Sequence, residues 1–252
     1  TLVSRGVDTP YSGMLPGLIA GHYTHDDAHI DLRVLARFAD ARSIVDEAIG
    51  LDPANRQVLF ARRPPVSYDV LSIDIGSTPS VTVVGAAEHA IPVKPIDQFL
   101  ARWTALSARL LETTAPTRIA VVGGGAGGVE LLLAVQHHVA KLRRDAGRNV
   151  AQLEYHLFTD SREVLPTHNR TARRIFEQIL RERGIRVHVG SAVVEVLPSQ
   201  MRTADGESHQ IDEVLWTTQA AAAPWLAESG LAVDSAGFVR VSDTLRSTSH
   251  AD

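Results

Sequence analysis

Apolar residues recur along this chain with two periods. Spacings of three and four mark helices, and continuous or alternating apolar runs mark strands. Ile96, Phe99, Leu100, Trp103, Leu106 and Leu110 follow Pro95 at helical spacing, which predicts a helix with one buried face and a proline at its opening. Asp31 precedes Leu32, Leu35 and Phe38, which predicts a capped helix that buries those three. A further helix is expected over 169–183, with Ile175, Ile179 and Leu180 inward and Gly184 as its stop. Strands are expected over 54–61, 68–75, 153–158, 187–189, 192–197, 214–216 and 238–241. Residues 1–4 read as the last part of a strand. Residues 8–17 read as a turn-rich loop whose Tyr11, Met14 and Leu15 fold over something.

The most informative stretch follows Ala115-Pro116-Thr117, the expected domain junction. Residues 119–122 form a continuous apolar run, as in a strand covered on both faces. Gly123-Gly124-Gly125-Ala126-Gly127-Gly128 comes at once, and Val129, Leu132, Val135, Val139 and Leu142 then form a helical stripe. Strand, glycine turn and helix in this order are the context that the spacing Gly123-x-Gly125-x-x-Gly128 needs to bind a dinucleotide. The first glycine permits the tight turn, the second lets the backbone approach a pyrophosphate, and the third lets helix and strand pack closely. The helix start presents unpaired N–H groups and a positive dipole end to the phosphates.

The ribose partner is expected near the end of the next strand. Asp160 stands there beside Thr159, further along than the roughly 20 residues of the simple fingerprint. The long helix and the loop over 145–149 account for the excess. An acid at this place favours NAD, whereas the nearby Arg162 offers a partner for a 2′-phosphate. Glu130 reads as a first-turn residue of the helix, either a carboxylate stabilised by the dipole or a polar group near the nicotinamide.

Charge narrows the partners. The 252 residues carry 25 Lys and Arg against 29 Asp and Glu, a net charge of -4, which lacks the basic footprint of a nucleic-acid binder. There is no cysteine, so disulfides, Cys-ligated zinc, iron–sulfur clusters and dithiol chemistry are excluded. No apolar stretch is long enough to span a bilayer and no signal-like segment opens the chain, so a cytoplasmic location is expected. His22, His25 and His29 with Asp26 and Asp27 have ligand-like spacing but read as a polar surface turn, and no metal is expected. His137-His138 reads as the solvent side of a helix, and Arg170, Arg173, Arg174, Arg181 and Arg183 as a solvated basic face. The chain opens without Met and stops without a helix or charged tail, so both ends read as cut.

Four segments together resemble one family. They are residues 9–17 (Thr-Pro-Tyr-Ser-Gly-Met-Leu-Pro-Gly), residues 68–77 (Tyr-Asp-Val-Leu-Ser-Ile-Asp-Ile-Gly-Ser), residues 121–130, and Pro224-Trp225-Leu226 with residues 237–241. The chain is similar to the two-dinucleotide flavoproteins of the pyridine nucleotide–disulfide oxidoreductase superfamily. Within it, the chain most resembles the FAD-dependent type II NADH dehydrogenase-like proteins that occur fused ahead of selenophosphate synthetase. The resemblance implies an α/β fold: a Rossmann-like, three-layer NAD(P)H-binding domain over 116–229, inserted into an incomplete, Rossmann-like FAD-binding domain over 1–115 with a return segment over 230–252.

It further implies FAD contacts at Thr9, Pro10, Ser12, Asp74, Gly76 and Ser77. NAD(P)H contacts are implied at residues 123–128, Asp160, Arg162, Thr218 and Gln219, and Glu130 is placed at the nicotinamide–flavin interface. The implied cofactors are FAD and NAD(H) rather than NADP(H). Implied partners are an electron acceptor such as a quinone and a fused or separate selenophosphate synthetase domain. The chain departs from the family pattern in three ways. The first FAD-binding strand and its glycine turn are absent, as is the later segment with a Gly-Asp pair, and Trp216-Thr217-Thr218-Gln219 replaces an Ala-Thr-Gly ending. These departures keep an alternative in view: a nucleotide-binding or interaction domain without catalysis, or a fragment that has lost its flavin.

Overall fold

The computed structural model describes residues 1–79, 82–218 and 220–250. They form two compact units, one of Thr1–Tyr11, His29–Thr78 and Ala220–Asp252, the other of Ser12–Ala28 and Pro79–Gln219. Among the described residues no helix is long and apolar enough to cross a membrane.

The main elements of the second unit, in chain order, are α1 (Leu15–Ala20), β1 (Ile91–Pro92), α2 (Ile96–Glu112), β2 (Thr117–Val122), α3 (Ala126–Asp145), β3 (Leu153–Phe158), α4 (Arg170–Glu182) and β4 (Arg186–His188). They continue with β5 (Val193–Leu197), β6 (Gln200–Thr203), β7 (Ser208–Gln210) and β8 (Glu213–Trp216). Strands β4, β3, β2, β8 and β1 form one sheet in that order, and every neighbouring pair is parallel. Strands β5, β6 and β7 form a separate antiparallel sheet.

The apolar run of β2 follows from burial on both faces. Ile119 and Val121 enter a core with the inward residues of α1, α2, α3 and α4. Ala120 and Val122 enter a second core with Phe158, Trp216 and apolar residues of β5, β6 and the short helix Ala86–His89. The layers are therefore helices, parallel sheet and antiparallel sheet. The α2 face expected from the sequence is the buried one, with Ile96, Phe99, Trp103, Leu106 and Leu110 inward. In α4, capped by Asn169, Ile175 is 52% exposed and Leu180 is fully buried. Phe176 takes the inward place expected of Ile175, packing against the helical core, because the stripe is rotated by one residue.

In the first unit, Leu2–Ser4 pairs in parallel with Ser43–Val45, and Asp8–Pro10 pairs antiparallel with His29–Asp31. Strands Ala48–Asp52, Gln57–Phe60 and Val66–Ser67 form an antiparallel sheet. Asp31 caps helix Leu32–Phe38 by accepting from the N–H groups of Arg33 and Val34. The inward residues of that helix are Leu32 and Ala36, not Leu35 and Phe38, and Phe38 is 89% exposed. Small Ala36 admits a close approach that the apolar count does not reveal.

Three further expectations of secondary structure change. Residues 68–75 form no strand; a strand needs a hydrogen-bonded neighbour along its length, and none of the described strands runs beside them. Residues 238–241 make only single bridges, Val239 to Val233 and Val241 to Ser247. Asp234 there accepts from the N–H groups of Ala236 and Phe238, so a side chain competes for donors a ladder would use. Residues 15–17, the end of the stretch read as loop, open α1, which buries Leu15 and Ile19.

Two polar features sit inside the second unit. Arg143, near the end of α3, is 1% exposed. Its Nη1 donates to the carbonyls of Leu110 and Thr113, its Nε to the Asn149 carbonyl and its Nη2 to Gln152 Oε1. One guanidinium thereby ties α3 to the end of α2 and to the segment leading into β3. The second feature is an aromatic stack on the sheet. Phe158 lies face to face with His188 at 4.1 Å between ring centroids. The His156 ring lies parallel to that of His188 at 5.3 Å between centroids, its Nδ1 3.1 Å from His188 Nε2, and His209 stands edge-on to Phe158 and His188. Burial, reinforced by His156, His209 and Arg186, pushes His188 from the usual 6.5 down to about 4. His156 is lowered as well, by burial first and then Arg186, His209 and Arg118, against a raising effect of Glu154. His209 Nε2 lies 3.7 Å from Glu207.

His137 and His138 are half-buried rather than on an open solvent face. The His138 ring lies 5.4 Å from that of Trp103, and burial lowers its pKa.

Arg143→Met is expected to cost about 3 kcal/mol in denaturant unfolding, because it leaves buried carbonyls without donors. The stack predicts a pH dependence. The folded pKa of His188 lies below its unfolded value, so the unfolded chain takes up the proton first, and stability is complete above 6.5 and lost as pH falls toward about 4. Urea unfolding at a series of pH values across that window should show a shallower loss for His188→Phe than for the wild type. Equal slopes would show that His188 does not carry the effect.

Candidate functional site

The parallel sheet reverses its winding at β2. From β2 the chain passes through α3 to β3 on one side, while β8 returns on the other, and such a switch point opens a crevice at the carboxyl ends of the strands. A cleft of about 370 Å³ lies there. It is lined by Gly123, Gly124 and Gly125 after β2, by Thr159, Asp160 and Ser161 after β3, and by Thr217 and Thr218 after β8. Ser191, Ala192 and Val193 and the segment Thr82-Val83 complete the wall.

Gly123, Gly124 and Gly128 each answer a different demand. Gly123 holds φ at 128°, in the region L side chains avoid, and its N–H donates to the Phe158 carbonyl at 2.8 Å. A Cβ on Gly124 would lie 2.6 Å from the Thr159 Cβ, so Gly124 packs against the strand beside it. A Cβ on Gly128 would collide with the Gly123 carbonyl oxygen, which is the close helix–strand packing expected of the third glycine. Gly125 differs from these. A Cβ there would meet nothing within 4 Å, so the fold itself does not require a glycine, and the open space lies on the cleft.

Gly125 also caps α3, with no side-chain hydrogen bond at the cap. As at any helix start, the first-turn N–H groups, here those of Ala126, Gly127 and Gly128, have no acceptor within the helix. These donors, the open Gly125 and the positive dipole end make a cradle that fits a pyrophosphate. The residues present thus suit a dinucleotide.

Asp160 is exposed and lines this cleft, its Oδ1 accepting from Ser161 Oγ at 3.3 Å. Arg162 is exposed too, but it lines a separate cleft of about 390 Å³ with Val164, Arg181, Val187 and Val189. Thr218 is half-buried on the wall of the first cleft. Gln219 lies outside the described residues. Glu130 is exposed, and it falls in the second turn of α3, not the first, because the helix already begins at Ala126 inside the glycine run.

Thr9 and Pro10 sit half-buried on the strand Asp8–Pro10, and Ser12 opens the short 3-10 helix Ser12–Met14. Asp74 and Gly76 are exposed and Ser77 is half-buried, all without regular structure. Neither of these two clefts is lined by any of these six residues. Among the described residues no group of three or more His, Asp or Glu is arranged to hold a metal ion. Arg173 of the basic run pairs with Glu163.

Several cleft residues carry no local sequence signal. Ser191, Ala192 and Thr82 stand far from the glycine turn in sequence and belong to no motif, and Thr217 shows its contacts only in three dimensions.

The comparisons with known proteins agree with this geometry. The chain is 25% identical over 222 residues to the NADH dehydrogenase-like protein YutJ of Bacillus subtilis, covering 86% of this chain and 56% of that one. It is 24% identical over 230 residues to the dihydrolipoyl dehydrogenase of Thermus scotoductus, covering 84% of this chain and 47% of that one. The chain therefore spans about half the length of the curated relatives it matches. The structure of NDH2 from Plasmodium falciparum in complex with NADH superimposes with a TM-score of 0.87 at 17% identity, over 98% of this chain and 56% of that one. The sulfide:quinone oxidoreductase of Aquifex aeolicus does so with a TM-score of 0.80 at 17% identity, over 99% and 60%. These likenesses establish a Rossmann-like α/β fold. The family model for pyridine nucleotide-disulphide oxidoreductases matches residues 1–252, and with its glycine turn at the switch point of a parallel sheet the chain belongs to that family.

Proposed function

We propose that the second unit binds NAD(P)H over the glycine turn, and that the chain is the nucleotide-binding part of an FAD-dependent NAD(P)H oxidoreductase that passes electrons to a quinone or a similar acceptor. The open position at Gly125 carries the reading: this glycine is the one in the fingerprint that no protein atom demands. The NADH held by the similar Plasmodium falciparum NDH2 structure supports it. The pyrophosphate would be held by the N–H groups at the start of α3. Asp160 would take the ribose hydroxyls, and a carboxylate on the cleft with Arg162 on another favours NAD over NADP. Thr218, and Glu130 further along α3, are assigned to the nicotinamide end.

The nucleotide domain is assigned to 116–229 and the flavin domain to 1–115 with 230–252, while 12–28 and 79–115 cluster with the second unit and 220–229 with the first. FAD, where bound in the full-length protein, supplies the acceptor for the nicotinamide hydride. The task of this chain's own residues is then to hold the nucleotide in one orientation and exclude water, which needs no acid–base triad.

Titration with NADH, followed by quenching of tryptophan fluorescence, tests the reading. The wild-type chain should bind NADH more tightly than NADPH. Gly125→Ala should keep the wild-type Tm yet lose roughly tenfold in NADH affinity, about 1.4 kcal/mol. Gly128→Ala should lower Tm as well, because its Cβ meets the Gly123 carbonyl. A folded wild-type chain that binds neither nucleotide would sink the reading and favour an interaction domain. Visible absorbance after adding FAD, and its bleaching by NADH without oxygen, reports whether this length of chain also takes the flavin.

A further inference from the structure

We propose that Thr217 is a positioning residue for the glycine turn: its hydroxyl holds the spacing between the end of β2, Gly123 and the first turn of α3. The inference rests on the nucleotide-site reading above and adds to it a residue outside the fingerprint.

Thr217 stands at the first position beyond β8. Its N–H and its Oγ1 both donate to the Val122 carbonyl, each at 2.9 Å. The last carbonyl of β2 thus takes two bonds from one residue of the adjacent strand. The hydroxyl also fills the room that two glycines leave. A Cβ on Gly123 would collide with Thr217 Oγ1, and a Cβ on Gly128 would lie 2.8 Å from the same atom. The first and third glycines of the fingerprint therefore close around one side-chain oxygen.

That contact bears on binding, not only on packing. Glycines have wide backbone freedom, and a turn with several of them keeps one conformation only if neighbours restrict it. The hydroxyl restricts it at both ends of the turn, so it sets the direction of the N–H groups between Gly123 and Gly128. A preorganised cradle binds more tightly than one that must be ordered by its ligand. Removing the hydroxyl leaves the Val122 carbonyl with one bond and a gap under the turn.

NADH dissociation constants and thermal midpoints for the wild type, Thr217→Ser, Thr217→Val and Thr217→Ala decide the question. Thr217→Ser keeps the hydroxyl and should bind within about twofold of the wild type, whereas Thr217→Ala and Thr217→Val should bind roughly tenfold more weakly. Valine nearly preserves the side-chain shape, so it isolates the hydrogen bond and decides the case if the alanine variant does not fold. A purely structural role would lower the thermal midpoint of Thr217→Ala and Thr217→Val and leave their NADH affinity at the wild-type value, which overturns the inference. A wild-type chain that binds no NADH overturns the nucleotide-site reading and this inference together. Wild-type binding with equal affinity in all variants overturns this inference alone.

Discussion

At the end of β2 the Gly123 carbonyl oxygen occupies the space that a Cβ on Gly128 would need. A helix can begin this close to the strand before it only where its first turn carries no side chain at the contact. The rest of the second unit follows from that approach. Helix α3 lies against the sheet and buries Val129, Leu132, Val135 and Val139. Its amino end and dipole point at the cleft between the strand ends, and β3 and β8 flank β2 closely enough for Phe158 and Thr217 to bond across.

The walls of the cleft are anchored in the core rather than carried on free loops. Phe158 lines the cleft and stacks on His188. The Thr159 N–H donates to the His188 carbonyl at 3.0 Å, and the Ser191 N–H to the Thr159 carbonyl at 2.8 Å. The order of the cleft is thereby tied to an aromatic stack in which burial lowers the pKa of His156 and of His188. At the opposite end of α3, Arg143 gathers carbonyls from α2 and from the segment before β3. The helix is thus fixed at both ends, by a missing side chain at one and by a guanidinium with four hydrogen bonds at the other. A charge so placed is tolerated because each of its nitrogens is hydrogen-bonded.

Much of this was legible in the sequence. The glycine turn, its flanking strand and helix, and the inward face of α2 could be read because local spacing alone specifies them. Asp160 could be placed at a strand end by the same means, and it does line the cleft. The faces of α4 and of helix Leu32–Phe38 could not, since two apolar stripes on one helix are distinguished only by what packs on them. Nor could the absence of a strand over 68–75, whose pattern is right but which pairs with none of the described strands. Glu130 moved from the first turn to the second because the helix starts inside the glycine run.

The sequence by itself determined where the chain turns, which segments pair as strand and helix, and that a dinucleotide-like turn lies between two of them. Backbone sterics and periodic burial act over a few residues, and such rules can be read locally. The tertiary structure alone decided that Gly124 faces Thr159 and that Arg162 belongs to a different cleft from Asp160. It also decided that Thr217 reaches Val122 across a separation of 95 residues. Those are contacts between distant segments, set by how the layers pack, and no local pattern of residue types encodes them.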